Sequence, residues 1–201
     1  DGVLKSELQI PDGLADGRVV VLDPCCGTGA YLVEVLRRIE RTLAQREGAA
    51  LAAREVKRAA TQRVFGFEIL PAPFVVSHLQ LGLYLQGLGA PLSDERGERA
   101  GVFLTNALTG WEPPKEPKAR LPFPELEQER DAAEKVKREA PILVILGNPP
   151  YNGFAGVAMA EERDLSTAYR TAKKAPAPQG QGLHDLYVRF FRMAERRIVE
   201  K

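Results

Sequence analysis

The chain has 201 residues, 44% of them apolar and 27% charged, and a formal net charge of +1. These proportions suit one soluble globular domain, or slightly more than one, and exclude disorder as the default state. A balance so close to neutral excludes a globally basic nucleic-acid binder, so any DNA affinity has to come from local patches.

Arg18–Asp23 (RVVVLD) is predicted to be a buried strand that runs into a Gly-rich turn, Pro24–Ala30. A helix is predicted over about Tyr31–Gln45, with Leu32, Val35, Leu36, Ile39 and Leu43 at helical spacing and Arg and Glu on the other face. An Ala-rich helix over Ala49–Thr61 follows, then a second strand, Arg63–Ile69 (RVFGFEI), and a third helix, Pro73–Gly87. Gly101–Leu104 reads as a short third strand leading to Asn106, and the Pro- and Lys-rich Trp111–Pro124 as a surface loop. Pro124–Arg138 is highly charged and reads as a solvated helix. Pro141–Leu146 (PILVIL) is the most apolar strand of the chain. Weak periodicity over Asn152–Gly182 predicts a long, partly helical, mobile loop, and Leu186–Ile198 is an amphipathic helix. Strands alternating with helices, with near-continuous apolar runs in VVVL and ILVIL, predict an α/β fold built on a mostly parallel sheet flanked by helices.

The two cysteines, Cys25 and Cys26, are adjacent. Neighbouring residues almost never close a strain-free disulfide, and two thiols without spaced partners make no zinc site. No metal is expected, and a reducing cytoplasm is the expected compartment. No apolar run approaches bilayer-spanning length and no signal peptide precedes the first strand, so no membrane partner is expected. A sequence that opens at Asp1 without an initiator Met reads as a piece of something longer.

Two segments carry chemistry. Asp23, Pro24, Cys25, Cys26, Gly27, Thr28 and Gly29 lie between a strand and a helix, where glycines let main chain approach a ligand and the helix N-terminus presents unpaired N–H groups. Such a turn is also compatible with a purely structural role. Its predicted companion is Glu68, a carboxylate at the C-terminal end of the second strand, placed to accept hydrogen bonds from ribose hydroxyls; the plain alternative is a surface carboxylate. The separation, 68 − 23 = 45 residues, exceeds the roughly 20 of the dinucleotide pattern, and Leu32 stands where a third glycine belongs. A nicotinamide dehydrogenase is therefore disfavoured. Asn106, at the end of the third strand, can hydrogen-bond an adenine edge.

Gly147, Asn148, Pro149, Pro150 and Tyr151 follow the most apolar strand directly. Ligands of open α/β sheets bind at the carboxyl ends of strands, which predicts that this segment and the glycine turn share one crevice. The prolines stiffen the loop and remove two N–H donors, leaving carbonyl acceptors. The adenine amino group is a poor nucleophile because its lone pair is delocalised. Two acceptors, the Asn148 side-chain oxygen and the Pro149 carbonyl, can hold both its N–H bonds and favour a pyramidal nitrogen aimed at a methyl carbon. Tyr151 supplies a stacking face for a base swung out of a duplex. The plain alternative is a rigid proline turn.

In this order DPCCGTG, Glu68, Asn106 and NPPY resemble the motifs of γ-class N6-adenine DNA methyltransferases. The stretches ERDAAEKVKREAPILVILGNPPYNGFAG and HDLYVRFFRMAERRI most resemble the methyltransferase module of single-polypeptide (type I SP-like) restriction-modification enzymes. The resemblance implies a Rossmann-like S-adenosylmethionine-dependent methyltransferase fold. It makes residues 1–201 a partial catalytic domain: 1–110 the cofactor-binding half, 111–140 a loop and charged helix, and 141–201 the catalytic motif, mobile loop and following helix. It implies S-adenosyl-L-methionine as cofactor, with its methionine end on Asp23 through Gly29, its ribose on Glu68, and its adenine against Ile69, Asn106 and the adjoining Ala107. Asn148, Pro149, Pro150 and Tyr151 would be catalytic. The implied partners are double-stranded DNA with a flipped adenine and covalently linked helicase, nuclease and target-recognition domains. The loop after Tyr151, with Arg163, Arg170, Lys173 and Lys174, is expected either to close over DNA or to be merely solvated. The family's sheet holds more strands than the four found here, so truncation after the fourth strand and its following helix is expected, with an exposed edge on PILVIL and no activity in the piece alone. NPPY also serves protein glutamine and guanine in structured RNA, and a non-catalytic DNA-binding scaffold is the alternative of a different class; DPCCGTG and the DLYVRFF helix favour DNA adenine.

Overall fold

Four apolar segments line up as parallel strands, β1 (Val20–Asp23), β2 (Val64–Glu68), β3 (Val102–Leu104) and β4 (Ile142–Ile145), in the order β3-β2-β1-β4. The computed structural model describes residues 1–113, 120–151, 162, 165–170, 183 and 185–199. Among them the helices are α1 (Gly2–Ser6), α2 (Ala30–Glu47), α3 (Ala49–Gln62), α4 (Pro71–Gly87), α5 (Pro124–Glu139), α6 (Thr167–Arg170) and α7 (Leu186–Ile198). None of these is long and apolar enough to cross a membrane.

Because successive side chains of a strand point to opposite faces, β1 feeds two cores. Val19 and Val21 pack with Leu32, Leu36, Val56 and Leu85 of α2, α3 and α4. Val20 and Leu22 pack with Phe65, Phe67, Phe103, Trp111, Ala133 and Met193 on the other side. Every residue of β1 and β2 is buried, which is why VVVL and VFGF tolerate almost no polar position. The α/β architecture with a parallel sheet flanked by helices is as the sequence predicts.

Two helix readings need correction, and one strand differs from its neighbours in burial. The third helix starts at Pro71, two residues before the predicted Pro73, because the first turn of a helix needs no N–H from proline. PILVIL is the most apolar strand but not the most buried: only Ile142 is buried, since β4 pairs with β1 alone and leaves its other edge unpaired among the described residues. That open edge was expected. The charged helix α5 is not simply solvated: it lies on β3, with Ala133 fully buried and Lys137 only 1% exposed. The Arg163, Lys173 and Lys174 side chains, the side chain of Arg170 and most of the expected 152–182 loop lie outside the described residues.

Candidate functional site

From β1 the chain moves outward through β2 to β3, then returns to place β4 on the other side of β1. A crevice opens outside the carboxyl ends of the strands at such a reversal, and here it falls between β1 and β4. The turn after β1 and the loop after β4 are therefore neighbours. Leu146 N–H donates to Leu22 O at 3.0 Å, carrying the strands to their ends in register. Just beyond, Gly147 sits so close to the turn that a Cβ would lie 2.6 Å from Asp23 Oδ1 and 3.2 Å from Cys25 Sγ. The Asn148 main-chain N–H faces the Cys25 sulfur. A cavity of about 170 Å³ opens beside the junction, lined by Pro24, Cys25, Gly147 and Pro149 with Phe190 and Phe191 of α7.

The turn is held from β2. Cys26 N–H donates to Phe67 O at 2.9 Å, and Gly27 N–H donates to Glu68 Oε2 at 2.9 Å. Gly27 (φ 55°) and Gly29 (φ 86°) take left-handed conformations that side chains disfavour. Gly29 caps the start of α2, where a Cβ would also press on Ser77 Cβ at 3.1 Å. Thr28 is exposed at the tip.

Asp23 is fully buried at the base of the turn. Its Oδ1 accepts the Cys25 N–H at 3.1 Å, while Oδ2 is buried with no hydrogen-bond partner among the described residues. Burial, opposed by the Cys25 N–H and thiol and slightly reinforced by the charge of Glu68, pushes its pKa up to about 6. A buried carboxylate oxygen without a donor is costly, and a ligand ammonium would satisfy it. Burial also pushes the Cys25 thiol up to about 12 and raises that of Cys26, so neither is a nucleophile at neutral pH.

Glu68 ends β2 and is 9% exposed, which excludes a surface carboxylate. Oε1 accepts the Ile69 and Leu70 N–H groups at 2.8 Å each, and Oε2 that of Gly27. Main chain thus engages three of about four lone-pair sites, and a ribose diol would have to share them. Ile69 is 62% exposed beside it. Across β2, Thr105 N–H donates to Glu68 O at 2.7 Å, bringing Asn106 to the same end of the sheet. The Asn106 side chain accepts the Leu108 N–H at 2.9 Å through Oδ1 and donates through Nδ2 to Glu162 at 2.7 Å; Ala107 is buried.

On the other side, Asn148 and Pro150 are exposed, Pro149 is half-buried, and Tyr151 is 78% exposed. The Tyr151 ring centroid lies 5.9 Å from that of Tyr187, which lies 6.2 Å from Phe191, so three aromatic rings run from the loop along α7. Sequence reasoning missed Tyr187 and Phe191 as neighbours of the loop, although their spacing of four residues puts them on one helix face. It also missed Glu162, which is buried and paired with Arg189 at 3.2 Å, and Lys137, whose ammonium lies under the Asn106 loop.

No protein-family model matches the chain, and no curated protein does. Solved structures do. A nuclease-deletion mutant of the Type ISP restriction-modification enzyme LlaGI, in complex with a DNA substrate mimic, matches at TM-score 0.75 and 23% identity over 100% of this chain and 16% of that one. The ATP-dependent Type ISP enzyme LlaBIII bound to DNA matches at 0.76 and 22% over 99% of this chain and 13% of that one. The DrdV–DNA complex matches at 0.72 and 22%, over 99% and 18%. What is shared is the fold. This Rossmann-like arrangement, found within two restriction-modification enzymes and the DrdV–DNA complex, accounts for nearly all of the present chain and for less than a fifth of each of those chains.

Proposed function

We propose that the protein transfers a methyl group from S-adenosyl-L-methionine to the N6 amino group of adenine in DNA, as the modification module of a restriction-modification enzyme. The observation that carries this reading is the junction of two loops at the β1/β4 reversal, where Gly147 packs on Asp23 and the Asn148 N–H faces Cys25. The neighbours of known structure, two of them restriction-modification enzymes by description and all three solved with DNA or a mimic of it, support DNA as the partner.

The donor set fits the cofactor. The unpartnered Asp23 Oδ2 suits the methionine ammonium, Glu68 the ribose, exposed Ile69 one face of the adenine ring, and Asn106 its edge. When bound, the cofactor supplies an electrophilic methyl group on a sulfonium. The Asn148 side-chain oxygen and the Pro149 carbonyl hold the two N–H bonds of the target amine, so that its lone pair becomes available. With both N–H bonds held by these acceptors, the amine proton would pass to solvent, and no strongly basic side chain would be required. Tyr151, projecting at the mouth, stacks on the extruded base. A motor, a nuclease and a target-recognition domain on the same polypeptide belong to this reading.

The test uses the intact polypeptide that carries this sequence, with methyl-labelled cofactor offered to duplex DNA, to protein glutamine and to structured RNA. Label recovered from DNA as N6-methyladenine is the expected result. Label on protein or RNA with unmodified DNA overturns it.

A further inference from the structure

Helix α5 carries charge on most of its surface, yet it drives one ammonium into the interior. Lys137 is 1% exposed, and its Nζ donates to Thr105 Oγ1 at 2.8 Å, Asn106 O at 2.7 Å and Thr109 O at 2.9 Å. It also lies 5.1 Å from the ring centroid of Phe67, the residue before Glu68. An ammonium has three donors, and these three acceptors, among the described residues, come from the one loop that follows β3. The loop borders a cavity of about 530 Å³ lined by Thr105, Asn106, Thr109, Leu121, Glu129 and Lys137.

Burying a cation is costly unless its donors are all engaged, and removing this ammonium alone would leave the Thr105, Asn106 and Thr109 oxygens without it. The ammonium therefore ties these three loop oxygens to one point. That tie matters at Asn106. Leu108 and Glu162 engage one acceptor site and one N–H of its amide, which has two of each. The second acceptor and second donor match the amino N–H and ring nitrogen along the edge of an adenine.

We propose that Lys137 is a positioning residue that fixes the Asn106 loop so that its amide reads the adenine edge of the cofactor. This rests on the methyltransferase reading above. Lys137 does not touch the cofactor; it acts through the Thr105, Asn106 and Thr109 oxygens.

The experiment compares binding of S-adenosylmethionine with binding of the analogue carrying hypoxanthine in place of adenine, by calorimetry, in the intact polypeptide and its Lys137→Met variant. Hypoxanthine reverses the donor and acceptor along the edge that Asn106 faces. The unsubstituted protein is expected to prefer the adenine form by about tenfold or more. Lys137→Met is expected to reduce that preference to within about threefold, with affinity for the hypoxanthine form nearly unchanged. Asn106→Ala should erase the preference equally, and the double variant should lose nothing further. A purely structural lysine would weaken both ligands alike and leave the ratio intact, and that result overturns the proposal. Lys137→Gln gives the same reading if Lys137→Met does not fold. Failure of the unsubstituted protein to bind either form overturns the methyltransferase reading, and this one with it. Equal binding of both forms leaves cofactor binding standing and overturns the role of Lys137 alone.

Discussion

Replacing Asp23 with asparagine separates charge from shape at the base of the cleft. The carboxyl group is fully buried, with one oxygen on the Cys25 N–H and the other without a hydrogen-bond partner among the described residues. Burial above all, with a contribution from Glu68, lifts its pKa from 3.8 to about 6. A folded-state value above the unfolded one means that the folded protein holds this proton more tightly. The stabilisation is complete below pH 3.8 and is lost as pH rises through about 6. At about 1.4 kcal/mol per pH unit, the gap of roughly two units amounts to about 3 kcal/mol. Asparagine has the same shape and does not titrate. It places an N–H where the orphaned oxygen was, at a pH-independent cost of about 1–3 kcal/mol. Urea unfolding of both proteins across this range should therefore show the stability difference shifting toward Asp23→Asn by about 3 kcal/mol as pH rises. Cofactor affinity of the unsubstituted protein should rise through the same window, since an ammonium favours the ionised carboxylate, and should stay low and flat in the variant. Parallel unfolding profiles would refute the buried, unpaired carboxylate and its role with it.

Three further outcomes follow from contacts around the same cleft. Glu68→Gln keeps the shape but has only one acceptor oxygen, so it loses either the Gly27 N–H or the Ile69 and Leu70 pair; a loss of about 1–3 kcal/mol in chemical denaturation is expected, with weaker cofactor binding. Gly66→Ala puts a Cβ 2.6 Å from Leu32 Cδ1 and 2.9 Å from Cys26 Sγ, and should lower stability by about 1–3 kcal/mol in thermal unfolding; an unchanged Tm would show that the turn yields. Tyr151→Ala, at a position 78% exposed, should leave stability within about 0.5 kcal/mol. It should weaken binding of DNA with an unpaired target adenine by about 1–3 kcal/mol, read by fluorescence of a base analogue at that position.

Much of this architecture is legible locally. β1, the turn and α2 follow from an apolar run, glycines and a helical repeat, and α7 has the bounds its amphipathic pattern gives, Leu186–Ile198. The rest depends on strand order and on contacts distant in sequence. PILVIL announces burial, but its place at the edge follows from pairing with β1 alone, which periodicity within the strand does not reveal. Charge density on α5 hides the face on which Ala133 and Lys137, four residues apart, enter the core. That the glycine turn and NPPY share one end of the sheet follows from each ending a parallel strand. The bond from Asn106 to Glu162 spans 56 residues, and no spacing rule predicts it.

The central claim is that acceptors in the loop after β4 hold a target amine towards a methyl donor seated against the turn after β1, and Asn148→Ala tests it most directly. Single-turnover transfer of label to duplex DNA by the intact polypeptide should fall by at least about 10²–10³-fold. Cofactor affinity should stay within about twofold, because the Asn148 side chain would hold the base and not the donor. Transfer at close to the unsubstituted rate would contradict the account.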